Sequence, residues 1–130
     1  MAVQLNHTIV WCRDREASAA FYTDILGLPD APVWGPFRVV DVSNGVELAF
    51  HPVDGEISSQ HYAFLVTEEE FDGILGRIQE RELTIWADPM LSEVGELNHD
   101  DGGRGVYWMD PDGHLLEAIT VPYGGWDHKP

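Results

Sequence analysis

Basic residues and cysteine are scarce in this sequence. Seven Lys and Arg stand against 23 Asp and Glu, so the formal net charge is −16 at pH 7. A surface of that sign repels phosphate backbones and anionic lipids, which argues against nucleic acid and membranes as partners. A single cysteine, Cys12, excludes an intrachain disulfide and a thiolate metal cluster, and its apolar surroundings indicate a core residue rather than a nucleophile.

Long apolar runs are also absent. No run approaches the roughly 18 residues that a membrane span needs, and the first residues lack the basic-then-apolar pattern of a signal segment. The default expectation is therefore residence in the cytoplasm. The chain of 130 residues, of which 44% are hydrophobic, is long enough to form one globular domain with a sizeable core.

The first half of the chain predicts a strand, a helix and a hairpin. Residues 4–12 are rich in β-branched and apolar side chains, which is typical of a strand. Asp14 can cap a helix that Gly27 ends, and Asn44-Gly45 suits a tight turn between two further strands. The predicted helix spans about 15–26, and the hairpin strands span 37–43 and 46–51.

The second half repeats this order. Residues 60–66 predict a strand, and Thr67 with Glu70 forms a capping box for a helix that ends near residue 81. The remaining predicted elements are a short strand at 83–87, a long loop at 88–104 and a hairpin around Pro111-Asp112-Gly113. The repeat indicates an internal duplication, with module one at about 4–52, module two at about 59–121 and an irregular tail at 122–130. The sheets of the two modules are expected to pair around a shared cavity.

Three residues with metal-binding side chains lie within the apolar predicted strands: His7, His61 and Glu117. A polar group buried there is costly unless it is hydrogen-bonded or bound to a metal. Each residue has an ordinary alternative, either a hydrogen-bonded core histidine or a glutamate that faces solvent. The two histidines occupy matching positions in the repeat, however. Two imidazoles and one carboxylate form the facial arrangement of non-haem Fe(II) oxygenases, and Mn, Zn or Ni would also fit.

The chain resembles the vicinal oxygen chelate superfamily, which contains glyoxalase I, extradiol ring-cleaving dioxygenases, fosfomycin-resistance thiol transferases and bleomycin-binding proteins. The segments that carry the resemblance are LNHTIV, FYTDILGL, HYAFLV and DPDGHLLEAI. The resemblance implies an α+β fold, a single domain over 1–130 in which two paired βαβββ modules form a metal-bearing cup, often within a homodimer. It also implies that His7, His61 and Glu117 are the metal ligands.

The segment from His99 to Glu117 is similar to the end of the catalytic module in extradiol dioxygenases. That module carries a histidine, a tyrosine, an acidic-Pro-x-Gly turn and the ligand glutamate in this order, and His99, Tyr107, the DPDG turn and Glu117 follow the same order here. A turn centred on Asp112 would place Tyr107 opposite Glu117 on one face. The resemblance implies that Tyr107 hydrogen-bonds a metal-bound substrate oxygen and that His99 acts as an acid or base. The ordinary alternatives are an aromatic wall residue and a solvent-exposed loop residue.

Three other functions remain open. Glu47 lies on a segment similar to the strand that carries the first glutamate ligand of glyoxalase I, and His51 shares its strand parity. Both residues are therefore possible additional members of the site. With Glu47 as a ligand, the protein would be an isomerase or lyase of the glyoxalase type. Alternatively, Glu47 is a charged residue on a half-solvated strand. A thiol transferase would need basic residues to hold a phosphonate, and Arg104 is the one available. A drug-sequestering protein would need only an aromatic cleft, and retention of all three ligand types argues against it.

The main hypothesis from the sequence is an extradiol-type ring-cleaving dioxygenase. Fe(II), held by the two histidines and the glutamate, would bind a catechol-like small molecule through two adjacent oxygens and lower the pKa of its hydroxyls. The loop at 88–104 would act as a lid that excludes water.

Overall fold

The computed structural model describes residues 3–126. The chain divides into two compact units between Ser58 and Ser59. No helix within the described residues is long and apolar enough to cross a membrane. The elements of the first unit are β1 (His7–Cys12), α1 (Arg15–Leu26), β2 (Val33–Trp34), β3 (Phe37–Asp41) and β4 (Glu47–Pro52). Those of the second are β5 (His61–Leu65), α2 (Glu68–Glu80), a 3-10 turn (Asp100–Gly102), β6 (Gly105–Met109) and β7 (Leu115–Ile119).

The first unit is a four-stranded sheet with the strand order β1-β4-β3-β2, in which β1 and β4 are parallel. Val10 and Phe50 are paired in this sheet and buried, and the Phe50 ring packs edge-on against Tyr22 of α1 at 4.7 Å. Gly45 adopts a φ of 84°, which permits the tight turn between β3 and β4. The predicted strand, helix and hairpin are confirmed, although β1 begins at His7 rather than at residue 4.

Both helices begin where the local sequence predicts. Asp14 accepts hydrogen bonds from the backbone N–H groups of Glu16 and Ala17, and the left-handed Gly27 ends α1. At α2, the capping box between Thr67 and Glu70 is present in full. These caps satisfy backbone N–H groups that have no carbonyl partner within the helix.

The second unit is a three-stranded sheet with the order β5-β7-β6, in which β5 and β7 are parallel and β6 and β7 are antiparallel. The strand predicted at 83–87 is wrong, because only Trp86 forms an isolated bridge to Tyr107. The chain then turns at Asp88, whose side chain accepts hydrogen bonds from the backbone N–H groups of Ser92 and Glu93. The two βαβββ-type modules of an α+β fold are otherwise confirmed. In the second module, the bridge between Trp86 and Tyr107 stands in place of one strand.

Candidate metal centre

Strand register brings three of the predicted site residues together in the second unit. Tyr107 on β6 lies directly opposite Glu117 on β7, so the predicted shared face of this hairpin is confirmed. On the other side of β7, Ala63 is the register partner of Glu117. His61 lies two residues before Ala63, and it therefore projects from the same face of the sheet.

Glu117 is fully buried, and both of its carboxylate oxygens have partners. Oε1 lies 3.0 Å from Nε2 of His61, and Oε2 accepts a hydrogen bond from the Tyr123 hydroxyl. An ionised carboxylate inside a protein is costly unless it is paired and hydrogen-bonded. The exposed alternative for Glu117 is therefore excluded, and the carboxylate is held in a defined orientation.

The other ring nitrogen of His61 determines what Nε2 can bind. Nδ1 lies 3.0 Å from the carbonyl oxygen of Leu115, which can only accept, so Nδ1 carries a proton. Nε2 of the neutral ring then presents a lone pair toward a Glu117 oxygen. Two acceptors at this distance need either a proton that they share or a metal ion that binds both of them. Histidines that bind metals usually donate their second ring N–H to an oxygen in this way.

The donor chemistry of His61 and Glu117 therefore fits two ligands of a divalent cation. The His61 side chain is 45% exposed, so an ion can reach the pair from solvent. Within residues 59–126, no third His, Cys, Asp or Glu joins them to form a larger ligand cluster. The second unit thus provides one imidazole and one carboxylate.

Two tyrosines extend the hydrogen-bond network of Glu117. Because Tyr123 donates its one proton to the carboxylate, Tyr107 must donate to the Tyr123 oxygen, which lies 3.0 Å away. The Tyr107 ring also stacks on His61, with 5.9 Å between the ring centroids. Burial raises the pKa of both phenols; the hydrogen bond to Tyr123 raises the pKa of Tyr107 further, and the hydrogen bond to Glu117 raises that of Tyr123. Both hydroxyls are therefore protonated donors near neutral pH.

Sequence reasoning did not identify Tyr123. This residue follows β7 in the segment predicted as an irregular tail, where strand parity gives no information about side-chain direction. Tyr123 lies six residues after Glu117, but β7 ends at Ile119, so the alternation of side chains along a strand does not extend to Tyr123. Only the path of the loop brings its hydroxyl back to the carboxylate.

The remaining predicted ligands lie in the first unit. His7 on β1 is exposed and is the register partner of Glu47 on β4, so the two residues share a face of their sheet. Nδ1 of His7 lies 2.7 Å from the Asn6 side-chain oxygen, which leaves Nε2 to bind a ligand, as in His61. The roles of His7 as the third ligand and Glu47 as a fourth ligand stay predictions.

His51 and His99 have different surroundings. The His51 ring packs edge-on against Trp11 at 5.3 Å and against Phe37 at 5.2 Å, which places it in an aromatic cluster on the sheet of the first unit. His99 is exposed and immediately precedes the 3-10 turn. Participation of these two histidines in the site stays a prediction.

Arg104 is already paired with carboxylates. Its Nε lies 2.8 Å from Glu68 and its Nη1 lies 2.9 Å from Asp72, while the guanidinium covers the Phe71 ring at 4.5 Å. The hydrogen bond to Asp72, then that to Glu68, raises the pKa of Arg104 above its ordinary value. The basic residue that a phosphonate would require is thus neutralised by two acidic side chains.

Comparison with known proteins identifies similar folds and sequences. The profile of the Glyoxalase/Bleomycin resistance protein/Dioxygenase superfamily matches residues 4–118. The solved structure of "Oxidase ChaP-H1" is 60% identical, with a TM-score of 0.93, and the match covers 95% of this chain and 100% of that one. "Oxidase ChaP-H2" is 57% identical, with a TM-score of 0.94 and coverage of 96% and 98%. "Glutathione transferase FosA" of Serratia marcescens is 29% identical over 123 residues, which are 90% of this chain and 80% of that protein.

Proposed function

We propose that this chain, which belongs to the glyoxalase/bleomycin resistance/dioxygenase superfamily, is a metal-dependent, oxygen-consuming enzyme that acts on a catechol-like small molecule. The observation that carries the proposal is the buried carboxylate of Glu117, whose Oε1 lies 3.0 Å from Nε2 of His61. The similarity to two proteins named as oxidases, at 60% and 57% identity, supports chemistry with oxygen. The proposed reaction class is extradiol-type ring cleavage.

His61 and Glu117 would hold a divalent ion, for which we propose Fe(II), and His7 is the proposed third ligand. The ion would supply a Lewis acid for two adjacent substrate oxygens. The fully buried Glu117 provides a negative charge that favours a cation at this position. The carbonyl of Leu115 holds the His61 ring in the tautomer whose Nε2 can bind that cation.

Tyr107 is suited to binding the substrate. Its hydroxyl is a protonated donor near neutral pH, because the ordinary pKa of a phenol is about 10 and burial raises that of Tyr107, and its ring stacks on His61. We propose that this hydroxyl exchanges its hydrogen bond to Tyr123 for one to a substrate oxygen when the substrate binds, and that His99 moves a proton. Tyr107→Phe is expected to lower turnover about 10²-fold or more with unchanged metal content. Loss of metal from this variant would contradict the role.

The ion pairs of Arg104 favour this reaction over thiol transfer. A phosphonate would have to displace Glu68 or Asp72 from the guanidinium, at the cost of existing charge-assisted hydrogen bonds. The sequence identity to the named glutathione transferase is 29%, compared with 60% for the named oxidase. We therefore do not assign a transferase activity.

The test is metal analysis of protein purified without oxygen, followed by measurement of oxygen uptake with a catechol. We expect iron in the wild-type protein and substrate-dependent oxygen uptake. Glu117→Gln should lose both, whereas Glu96→Gln, the same chemical change on an exposed loop, should lose neither. Bound zinc or nickel without oxygen uptake, or full uptake by Glu117→Gln, would refute the proposal. Sedimentation of the same preparation tests the predicted homodimer.

A further inference from the structure

The hydroxyl of Tyr123 is the partner of Glu117 on the side away from His61. It donates to Oε2, while Oε1 lies 3.0 Å from the His61 ring. A carboxylate that is held at one oxygen cannot rotate freely about its terminal bond. The Tyr123 hydrogen bond thus occupies one oxygen of Glu117 and leaves the other facing His61.

The loop that carries Tyr123 is itself tied to another part of the second unit. The N–H of Gly125 donates to the carbonyl of Pro122 at 2.8 Å and closes a turn around the tyrosine. The N–H of Gly124 donates to the Asp101 carboxylate at 3.1 Å. Although Tyr123 is 51% exposed, its hydroxyl is directed inward by these contacts. The tie through Asp101 joins the loop after β7 to the 3-10 turn.

We propose that Tyr123 is a positioning residue that makes Glu117 a ligand through one oxygen only. With Oε2 occupied by the phenol, Oε1 is the oxygen presented beside the His61 lone pair. Groups that hydrogen-bond to metal ligands orient those ligands, and their removal typically lowers metal affinity by about 10- to 100-fold. This inference rests on the proposed function, because it assumes that the His61–Glu117 pair binds a divalent ion.

The probe is Co²⁺, titrated into protein stripped of metal and followed by visible absorption without substrate or oxygen. Tyr123→Phe keeps the ring and removes only the hydroxyl, and we expect about 10- to 100-fold weaker binding with a changed absorption spectrum. Tyr62→Phe is the matched control, since Tyr62 follows His61 on β5 and therefore projects from the opposite face of the sheet, where its ring centroid lies 5.9 Å from that of His114. Its affinity should equal that of the wild type.

Asp101→Ala provides a second variant that leaves the tyrosine in place. It removes the acceptor for the Gly124 N–H and loosens the turn, so we expect weaker Co²⁺ binding, with a smaller effect than that of Tyr123→Phe. A larger loss of Co²⁺ affinity than in Tyr123→Phe would overturn the proposal, because the hydrogen bond between Gly124 and Asp101 is inferred to act through the tyrosine. Wild-type affinity and spectrum in Tyr123→Phe would overturn the role of Tyr123 alone. A wild-type protein that binds neither Co²⁺ nor Fe²⁺ would overturn the proposed function as well.

Discussion

Removal of the hydroxyls of Tyr107 and Tyr123, singly and together, tests the hydrogen-bond chain that ends on Glu117. Tyr107 donates to Tyr123 across 3.0 Å, and Tyr123 donates to the carboxylate. The first bond joins two neutral groups, whereas the second has a charged acceptor. The two substitutions to Phe therefore differ in what they remove.

The expected losses follow from these bond types. Tyr107→Phe removes one neutral hydrogen bond, so the free energy of unfolding should fall by about 1 kcal/mol. Tyr123→Phe removes the same bond and the charge-assisted one. Because Tyr123 is half exposed, we expect the loss of both bonds together to lie at the lower end of their summed range, about 2 kcal/mol. The double variant removes no further bond, so it should also lose about 2 kcal/mol, which gives a coupling energy of about 1 kcal/mol.

The assay is urea unfolding of the metal-free protein at neutral pH. With a slope of about 1–3 kcal/mol per molar, a loss of 2 kcal/mol lowers the midpoint by roughly 1 M, an easily measured shift. Tyr62→Phe serves as the control for loss of a tyrosine hydroxyl elsewhere in the unit. If the effects of Tyr107→Phe and Tyr123→Phe add to within about 0.3 kcal/mol, the two hydroxyls do not share a hydrogen bond and the reasoning is refuted.

Three further outcomes are expected. Because the pKa values of Tyr107 and Tyr123 are raised, the folded protein retains protons that the unfolded chain loses near pH 10. The free energy of unfolding should therefore fall as the pH rises above about 10. Unfolding followed by phenolate absorbance measures this, and an unchanged free energy would contradict it. Thr67→Ala should lower the unfolding free energy by about 1 kcal/mol through loss of the capping box, measured by thermal unfolding, whereas Thr84→Ala at an exposed position should not. Cys12 is fully buried and should react with a thiol reagent only on unfolding; reaction of the folded protein at the rate of a free thiol would exclude the assigned core position.

The helices and hairpins could be predicted because their signals are local. Asp14 and Thr67 bond to backbone groups two or three residues away, and the turn at Asn44-Gly45 depends on its own φ values. The family resemblance is confirmed by the match over residues 4–118. The strand predicted at 83–87 failed because this segment pairs with β6 at Trp86 alone, and the N–H of the next residue, Ala87, donates to the carbonyl of Glu93 instead.

Part of the site was also determined by the sequence alone. The alternation of side chains along β6 and β7 and the turn between them place Tyr107 opposite Glu117, and both residues were identified for that reason. The proximity of Nε2 of His61 to Glu117 required the parallel pairing of β5 with β7, across a separation of 56 residues. Parallel pairing has no turn to define its register, so it depends on packing of the whole unit.

The contact of Tyr123 with Glu117 was decided by the tertiary structure. Its segment has no period, and its direction results from the turn around Gly124 and from the hydrogen bond of the Gly124 N–H to Asp101, which precedes that glycine by 23 positions. Sequence patterns therefore determined which side chains are candidate metal ligands, through strand parity and residue type. The fold decided how the buried carboxylate is oriented, because that orientation depends on hydrogen bonds from a loop whose path no local interaction specifies.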